Sequence, residues 1–263
     1  MKRAICSVIT KNYVNYLRVF CFSLLQNNPD FNDDYIVFYV KGDLSLEQKS
    51  DLLKLYRNFK FKEIPEENYS LLDASHFAGT EYSKKIRRFA YYRLEMFNLS
   101  EYEQVIYFDV DMVVIKNLDK LFDMRYDDGI FACEDTLVKI KKLKPKDFFD
   151  KHHAIQGGVI VAGKNLLTGQ TYNDLISLLA DTRRYDLADQ SMFIEYFGNA
   201  NKVIKLDTGF NCGRKLLRDG HIELKNVHII HYPGSGKPTS GRSCKTFKYW
   251  HKAKEALDEF TKI

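Results

Sequence analysis

The chain has 263 residues, 45% of them hydrophobic, which is enough apolar material for one sizeable α/β core. Its 40 basic and 35 acidic residues leave a formal charge of +5, too small an excess to mark a nucleic-acid binder and compatible with an anionic ligand. Five scattered cysteines (Cys6, Cys21, Cys133, Cys212, Cys244) form no CxxC pair and are expected as reduced thiols, and no apolar run suits a signal peptide or a membrane span, so a cytoplasmic protein is expected.

Ala4 to Ile9 is a nearly continuous apolar run, read as a strand, and Tyr13, Leu17, Phe20, Cys21 and Leu24 follow at helical spacing. Tyr35 to Val40 is a second β-rich run, after which Ser45-Leu-Glu-Gln48 forms a capping box opening a helix with Leu52, Leu53 and Tyr56. A helix from about Ser83 to Phe97 leads into a strand at Val105 to Phe108. Further strand candidates lie at Ile130 to Cys133, Gly158 to Ala162 and Val227 to Ile230. This alternation predicts an α/β fold with a mostly parallel central sheet and helices on both faces. One domain over 1–263 is expected, with 245–263 as a C-terminal helix, and the Gly/Pro/Ser-rich stretch Pro233 to Ser243 is expected to close over a ligand.

Such sheets bind ligands beyond the carboxyl ends of their strands. The residues there are polar: Thr10, Lys11 and Asn12 after the first strand, Asp109 and Asp111 after the central one, Glu134 and Asp135 after the next, His231 after the last. Residues two apart in extended chain point to the same side, so both carboxylates of Asp109-Val110-Asp111 can reach one cation. Their oxygens suit Mg²⁺ or Mn²⁺, and an imidazole from His231 tilts the choice towards Mn²⁺. The loop Tyr232-Pro-Gly-Ser-Gly-Lys237 can bring backbone N–H groups and an ammonium against a diphosphate. In the basic run Lys84-Lys-Ile-Arg-Arg88, a solvated helical face is the simpler reading. Arg93 differs, because it falls on the apolar stripe with Ile86, Phe89, Ala90, Leu94 and Phe97. A charge so placed needs an anion, either a carboxylate such as Asp109 or a ligand phosphate.

The ordered set of motifs resembles the glycogenin-like family 8 glycosyltransferases of GT-A (Rossmann-like) fold, particularly the bacterial lipopolysaccharide galactosyl- and glucosyltransferases. Asn12-Tyr-Val-Asn-Tyr-Leu17 is similar to the turn in which Tyr13 would stack on the nucleobase, and Ala90-Tyr-Tyr-Arg-Leu94 to the helix with a basic residue. Ala132-Cys-Glu-Asp135, Asp189-Gln190 and His231-Tyr-Pro-Gly234-Ser-Gly-Lys237-Pro238 resemble segments beside the sugars and the diphosphate. Gln156-Gly-Gly158 stands where the family usually has Asn, Ser191 where the bacterial branch has a second aspartate, and Thr239 where a tryptophan is common.

The resemblance implies a retaining, metal-dependent hexosyltransferase with a UDP-sugar donor and a carbohydrate, glycolipid or glycoprotein acceptor. It implies Asp109, Asp111 and His231 as metal ligands, and Gln190, Asp189, Asp135 and Lys237 as catalytic. Donor contacts are implied for Val8, Thr10, Asn12 and Tyr13, for Arg93 and Val110, and for Gln156, Gly157 and Gly234. With Ser191 in place of a carboxylate, front-face attack is expected over a covalent enzyme intermediate. Two other readings stand beside it: a nucleotide-sugar-binding or carbohydrate-binding protein without turnover, and an aspartate-nucleophile phosphohydrolase matching Tyr107-Phe-Asp-Val-Asp-Met-Val113, a class that usually carries that motif on its first strand. The C-terminal bases and aromatics Lys245 to Lys254 suit either peripheral contact with an anionic membrane or a helix that docks Phe247 and Trp250 on the domain.

Overall fold

A computed structural model describes residues 1–72, 88–125, 127–135, 155–184, 188–198, 200 and 202–262. The N-terminal portion alternates regularly: β1 (Arg3–Ile9), α1 (Val14–Asn27), β2 (Asp34–Tyr39), α2 (Leu46–Leu55) and β3 (Phe59–Glu63). Ser45 caps α2 through the expected reciprocal box with Gln48. Next come β4 (Gln104–Phe108), β5 (Met112–Val114), the single turn α3 (Asp119–Phe122), β6 (Ile130–Glu134) and β7 (Ile155–Gly163). The chain closes with α4 (Gly169–Ser177), α5 (Asp189–Phe193), β8 (Val203–Leu206), β9 (Cys212–Gly213), α6 (Arg214–Arg218), β10 (Ile229–His231) and α7 (Phe247–Phe260).

The central sheet runs β3-β2-β1-β4-β7-β6-β8. Four of its pairings are parallel (β2–β3, β1–β2, β1–β4, β6–β8), whereas β7 is antiparallel to both β4 and β6. Helices cover both faces, so neighbouring residues of a strand enter opposite cores and the strands read as unbroken apolar runs. Ile106 and Phe108 of β4 enter one core with Phe20 of α1, Leu52 of α2 and Trp250 of α7. Val105 and Tyr107 enter the other with Phe97, Tyr172 of α4 and Phe193 of α5. The C-terminal helix docks on the domain, burying Phe247, Trp250, Ala253 and Leu257, with the Trp250 ring 5.5 Å from that of Tyr16. No described helix is long and apolar enough to cross a membrane.

Two expectations need correction. The strand sought at Val227 to Ile230 is Ile229–His231, and it lies outside the central sheet, in a small second sheet ordered β5-β10-β9. β10 pairs antiparallel with β5 and parallel with β9, so His231 is the last residue of its strand and faces Met112. The helix expected from Ser83 has its first five residues, with Ile86 and most of the basic run, outside the described residues. Its described part is helical from Arg88 to Tyr91 and then tightens to 3₁₀ geometry over Tyr92–Asn98. Tyr92 to Phe97 are all buried, so this segment lacks the solvent-facing stripe of a surface α-helix.

Candidate active site

Asp109-Val110-Asp111 spans the seam between the two sheets. β4 ends at Phe108, Val110 and Asp111 form a bend, and β5 begins at Met112. The Asp109 amide donates to the Gly158 carbonyl of β7 at 2.8 Å, while the Asp111 carbonyl accepts from the Tyr232 amide beyond β10 at 2.9 Å. Each aspartate is therefore tethered to a different sheet, and a bend brings their carboxylates together instead of the extended chain expected. One ligand atom from each of Asp109, Asp111 and His231 lies within 4.8 Å of the other two.

The imidazole is held from three sides. Its backbone is in β10, its Nδ1 is 2.9 Å from Asn211 Oδ1, and its ring lies against Gly158, where an added Cβ would stand 2.6 Å from Cε1. The Asn211 amide is oriented in turn by donating to the Gln156 carbonyl at 3.4 Å. Nδ1–H thus donates to Asn211, which leaves Nε2 towards the carboxylates, 3.3 Å from Asp111 Oδ1 and 3.6 Å from Asp109 Oδ2, as the nitrogen that would bind a cation held there. Two carboxylates and a pre-oriented imidazole fit a divalent cation that accepts oxygen and nitrogen together.

Lys237 and Arg93 flank this cluster. The Lys237 ammonium pairs with Asp111 Oδ2, donates to the Tyr232 carbonyl at 3.0 Å and stands 5.5 Å from the Tyr13 ring centroid. Burial works against the Asp111 carboxylate, yet His231 and Lys237 outweigh it and hold its pKa far below the usual range. Burial works against the Lys237 charge as well, and Asp111 raises its pKa above the ordinary lysine value. Arg93 is met by carboxylates, as one of the two expected alternatives: Asp189 Oδ2 lies at 3.1 Å and Asp109 Oδ1 at 3.5 Å. It also donates to the carbonyls of Ala90, at 3.0 Å, and Gly157. The Tyr107 hydroxyl donates to Asp109 Oδ1 at 2.8 Å. Burial pushes the Asp189 carboxyl up to about 6 despite the Arg93 guanidinium beside it.

Two cavities meet over the cluster. One chamber, about 390 Å³, is lined by Val8 near the end of β1, by Thr10, Asn12 and Tyr13 beyond it, and by Arg93 and Lys237. The other chamber, about 430 Å³, is lined by Asp135 at the end of β6, Gln156, Gln190 and Arg214. Arg93, Asp109, His231, Pro233 and Gly234 border both. Gly234 adopts φ 74°, a left-handed turn that lets the loop double back along this border.

Three expected site residues do not line either cavity. Val110 is 3% exposed and packs in the core. Gly157 is an internal junction: its carbonyl accepts from Arg93, its N–H donates to Gln190 Oε1 at 2.7 Å, and an added Cβ would collide with the Arg93 guanidinium. Asp189 is 2% exposed beneath Arg93, so of the Asp-Gln pair Gln190 faces the chamber and Asp189 supports it from below. Sequence reasoning missed Asn211, Tyr107, Arg214 and Lys215. Asn211 and Arg214 flank a two-residue strand, too short to show periodicity; Tyr107 sits inside a strand already explained by burial.

The solved structures similar in fold include the galactosyltransferase LgtC in complex with donor and acceptor sugar analogues, with a TM-score of 0.72 at 19% identity, covering 97% of this chain and 96% of that one. They also include the glycosyltransferase GlyE of Streptococcus pneumoniae, with a TM-score of 0.70 at 17% identity, covering 100% of this chain and 64% of that one. Both are glycosyltransferases, in agreement with the GT-A fold expected. Among curated proteins, galactinol synthase 6 of Arabidopsis thaliana is 27% identical over 177 residues, covering 60% of this chain and 52% of that protein. Galactinol synthase 2 of Solanum lycopersicum is 25% identical over 170 residues, covering 56% of this chain and 48% of that protein. The chain spans about half the length of these curated relatives. The model of glycosyl transferase family 8 matches residues 4–240, and on that match, seated on this fold and this acid-imidazole cluster, the chain belongs to glycosyl transferase family 8.

Proposed function

We propose that the protein transfers a hexose from a UDP-sugar to an acceptor hydroxyl with retention of configuration, and that it requires Mn²⁺. The observation that carries this reading is the convergence of Asp109, Asp111 and His231 where the two chambers meet. A divalent cation held there would neutralise the diphosphate. The chain's own groups do the rest: Tyr13 covers the base, and Lys237 stabilises the charge that develops on the departing phosphate. The bond between the anomeric carbon and the β-phosphate oxygen breaks with its electron pair leaving on UDP. The acceptor oxygen attacks from the same face and passes its proton to that departing phosphate oxygen. Gln190, held at the Gly157 amide, borders the reacting centre, and Arg93 with Asp189 beneath it keeps Gly157 and Asp109 in place.

UDP release across a panel of UDP-sugars, with and without Mn²⁺, tests this directly. Turnover of at least one UDP-hexose, lost on chelation, is the expected result. A wild-type preference for GDP over UDP, or full turnover in the presence of chelator, would refute it. Trapping a competent glycosylated Asp189 or Gln190 by rapid-quench mass spectrometry would refute the front-face route alone.

A further inference from the structure

The second chamber has a charged side that the proposed chemistry leaves unused. Arg214 and Lys215 follow β9 and line this cavity but not the donor-side one. Both are half-buried, and neither has a carboxylate partner among the described residues. Arg214 is nonetheless held in position. Its Nη1 donates to the Pro233 carbonyl at 2.8 Å, and its guanidinium lies so close over Gly236 that an added Cβ there would stand 2.6 Å from Cζ. A pre-positioned guanidinium beside an ammonium, both bordering one cavity, is an arrangement that recognises a carboxylate or a phosphate.

The rest of the lining suits hydroxyl groups. Gln156 is 6% exposed, lines this chamber, and its side-chain Oε1 is buried without a hydrogen-bond partner. An unpaired buried acceptor is costly, and a ligand hydroxyl would satisfy it. Asp135 and Gln190 border the same space. We propose that this chamber takes an anionic sugar as acceptor, its phosphate or carboxylate held by Arg214 and Lys215 and its hydroxyls by Gln156, Asp135 and Gln190. Its naming as the acceptor rests on the glycosyltransferase reading above; the anion site itself does not.

The test is calorimetric titration of glucose, glucose 6-phosphate and glucuronic acid into the full chain, with and without saturating Mn²⁺ and UDP. At least one anionic sugar is expected to bind roughly tenfold or more tighter than glucose, a preference that weakens with added salt. The stronger of the two identifies phosphate or carboxylate as the group recognised. Arg214→Gln/Lys215→Gln should bring the anionic sugars down to the level of glucose, and Arg214→Lys should recover part of the difference. Lys215→Gln alone keeps the Arg214 contact to Pro233, so its partial loss of preference separates charge recognition from misfolding. Equal binding of neutral and anionic sugars to the wild type overturns the proposal. So does a double variant that keeps the preference, or one that loses UDP affinity instead, since the pair would then belong to the donor. An anionic preference in a wild type that fails to bind UDP would keep this site and overturn the donor reading.

Discussion

The two chambers share Asp109 and His231 yet are built in different ways. The chamber lined by Tyr13, the donor side of the proposal, contains one contiguous run, Thr10 to Tyr13 directly after β1, joined by Phe89, Arg93 and Tyr107 from elsewhere in the fold. The second chamber has no such run from one strand end and collects one or two residues each from just after β6 and from β7, α5, β9 and α6. The first is a property of the parallel sheet, whose strand ends all open on one edge. The second depends on β7 running antiparallel between β4 and β6, and on the small sheet bringing Gly213 beside His231. A ligand-binding edge can therefore be local in origin on one side and topological on the other.

The largest effect belongs to the cluster on which both chambers border. Asp111→Asn removes one of two carboxylates from the cation site and should lower Mn²⁺-dependent UDP-sugar turnover by roughly a thousandfold or more while near-UV circular dichroism is retained. An Asp111→Asn protein with unchanged metal dependence would break the idea that both chambers work through one cluster. Asn211→Ala leaves every ligand in place but frees the imidazole, so Mn²⁺ affinity should fall roughly 10–100-fold, as read by titration of the metal. If affinity is unchanged, β10 and the contact with Gly158 orient His231 without the Asn211 bond.

Asp189 tests the support under the border. Its pKa is raised by burial to about 6, so between the ordinary aspartate value and about 6 the folded state holds a proton that the unfolded state has lost. This group's contribution must then fall as pH rises through that window, by on the order of 2 kcal/mol. Asp189→Asn should flatten the change in urea-unfolding stability between pH 4 and pH 6. An identical pH profile in the variant would mean that Asp189 is ionised throughout and acts as a simple partner of Arg93.

The smallest effect sharpens the donor side. Tyr13→Ala should weaken UDP binding roughly tenfold, and Tyr13→Phe should be nearly silent because stacking uses the ring and not the hydroxyl. Substituting Thr10 and Asn12 should relax the preference for UDP over GDP without abolishing binding. Equal UDP affinity of wild type and Tyr13→Ala would move the base elsewhere in the cavity.

Much of this protein was legible in one dimension. The strands buried on both faces announce themselves as apolar runs, because such strands have no solvent side to alternate with. Asp109, Asp111, His231 and Lys237 stood out because each lies at the end of such a run or in the adjoining loop. What only the tertiary structure decided is how they meet. β5, β9 and β10 have three, two and three residues, too few for any periodicity, yet they place His231 opposite Met112 and bring Asn211 and Arg214 to the site. The partners of Arg93 were only partly legible, since a guanidinium on an apolar stripe demands an anion and the sequence offered Asp109 or a ligand phosphate without choosing between them, and did not offer Asp189. Asp109 and Asp189 supply it from positions 16 and 96 residues away, and the closer of the two, Asp189, is brought there by long-range packing that no local pattern encodes.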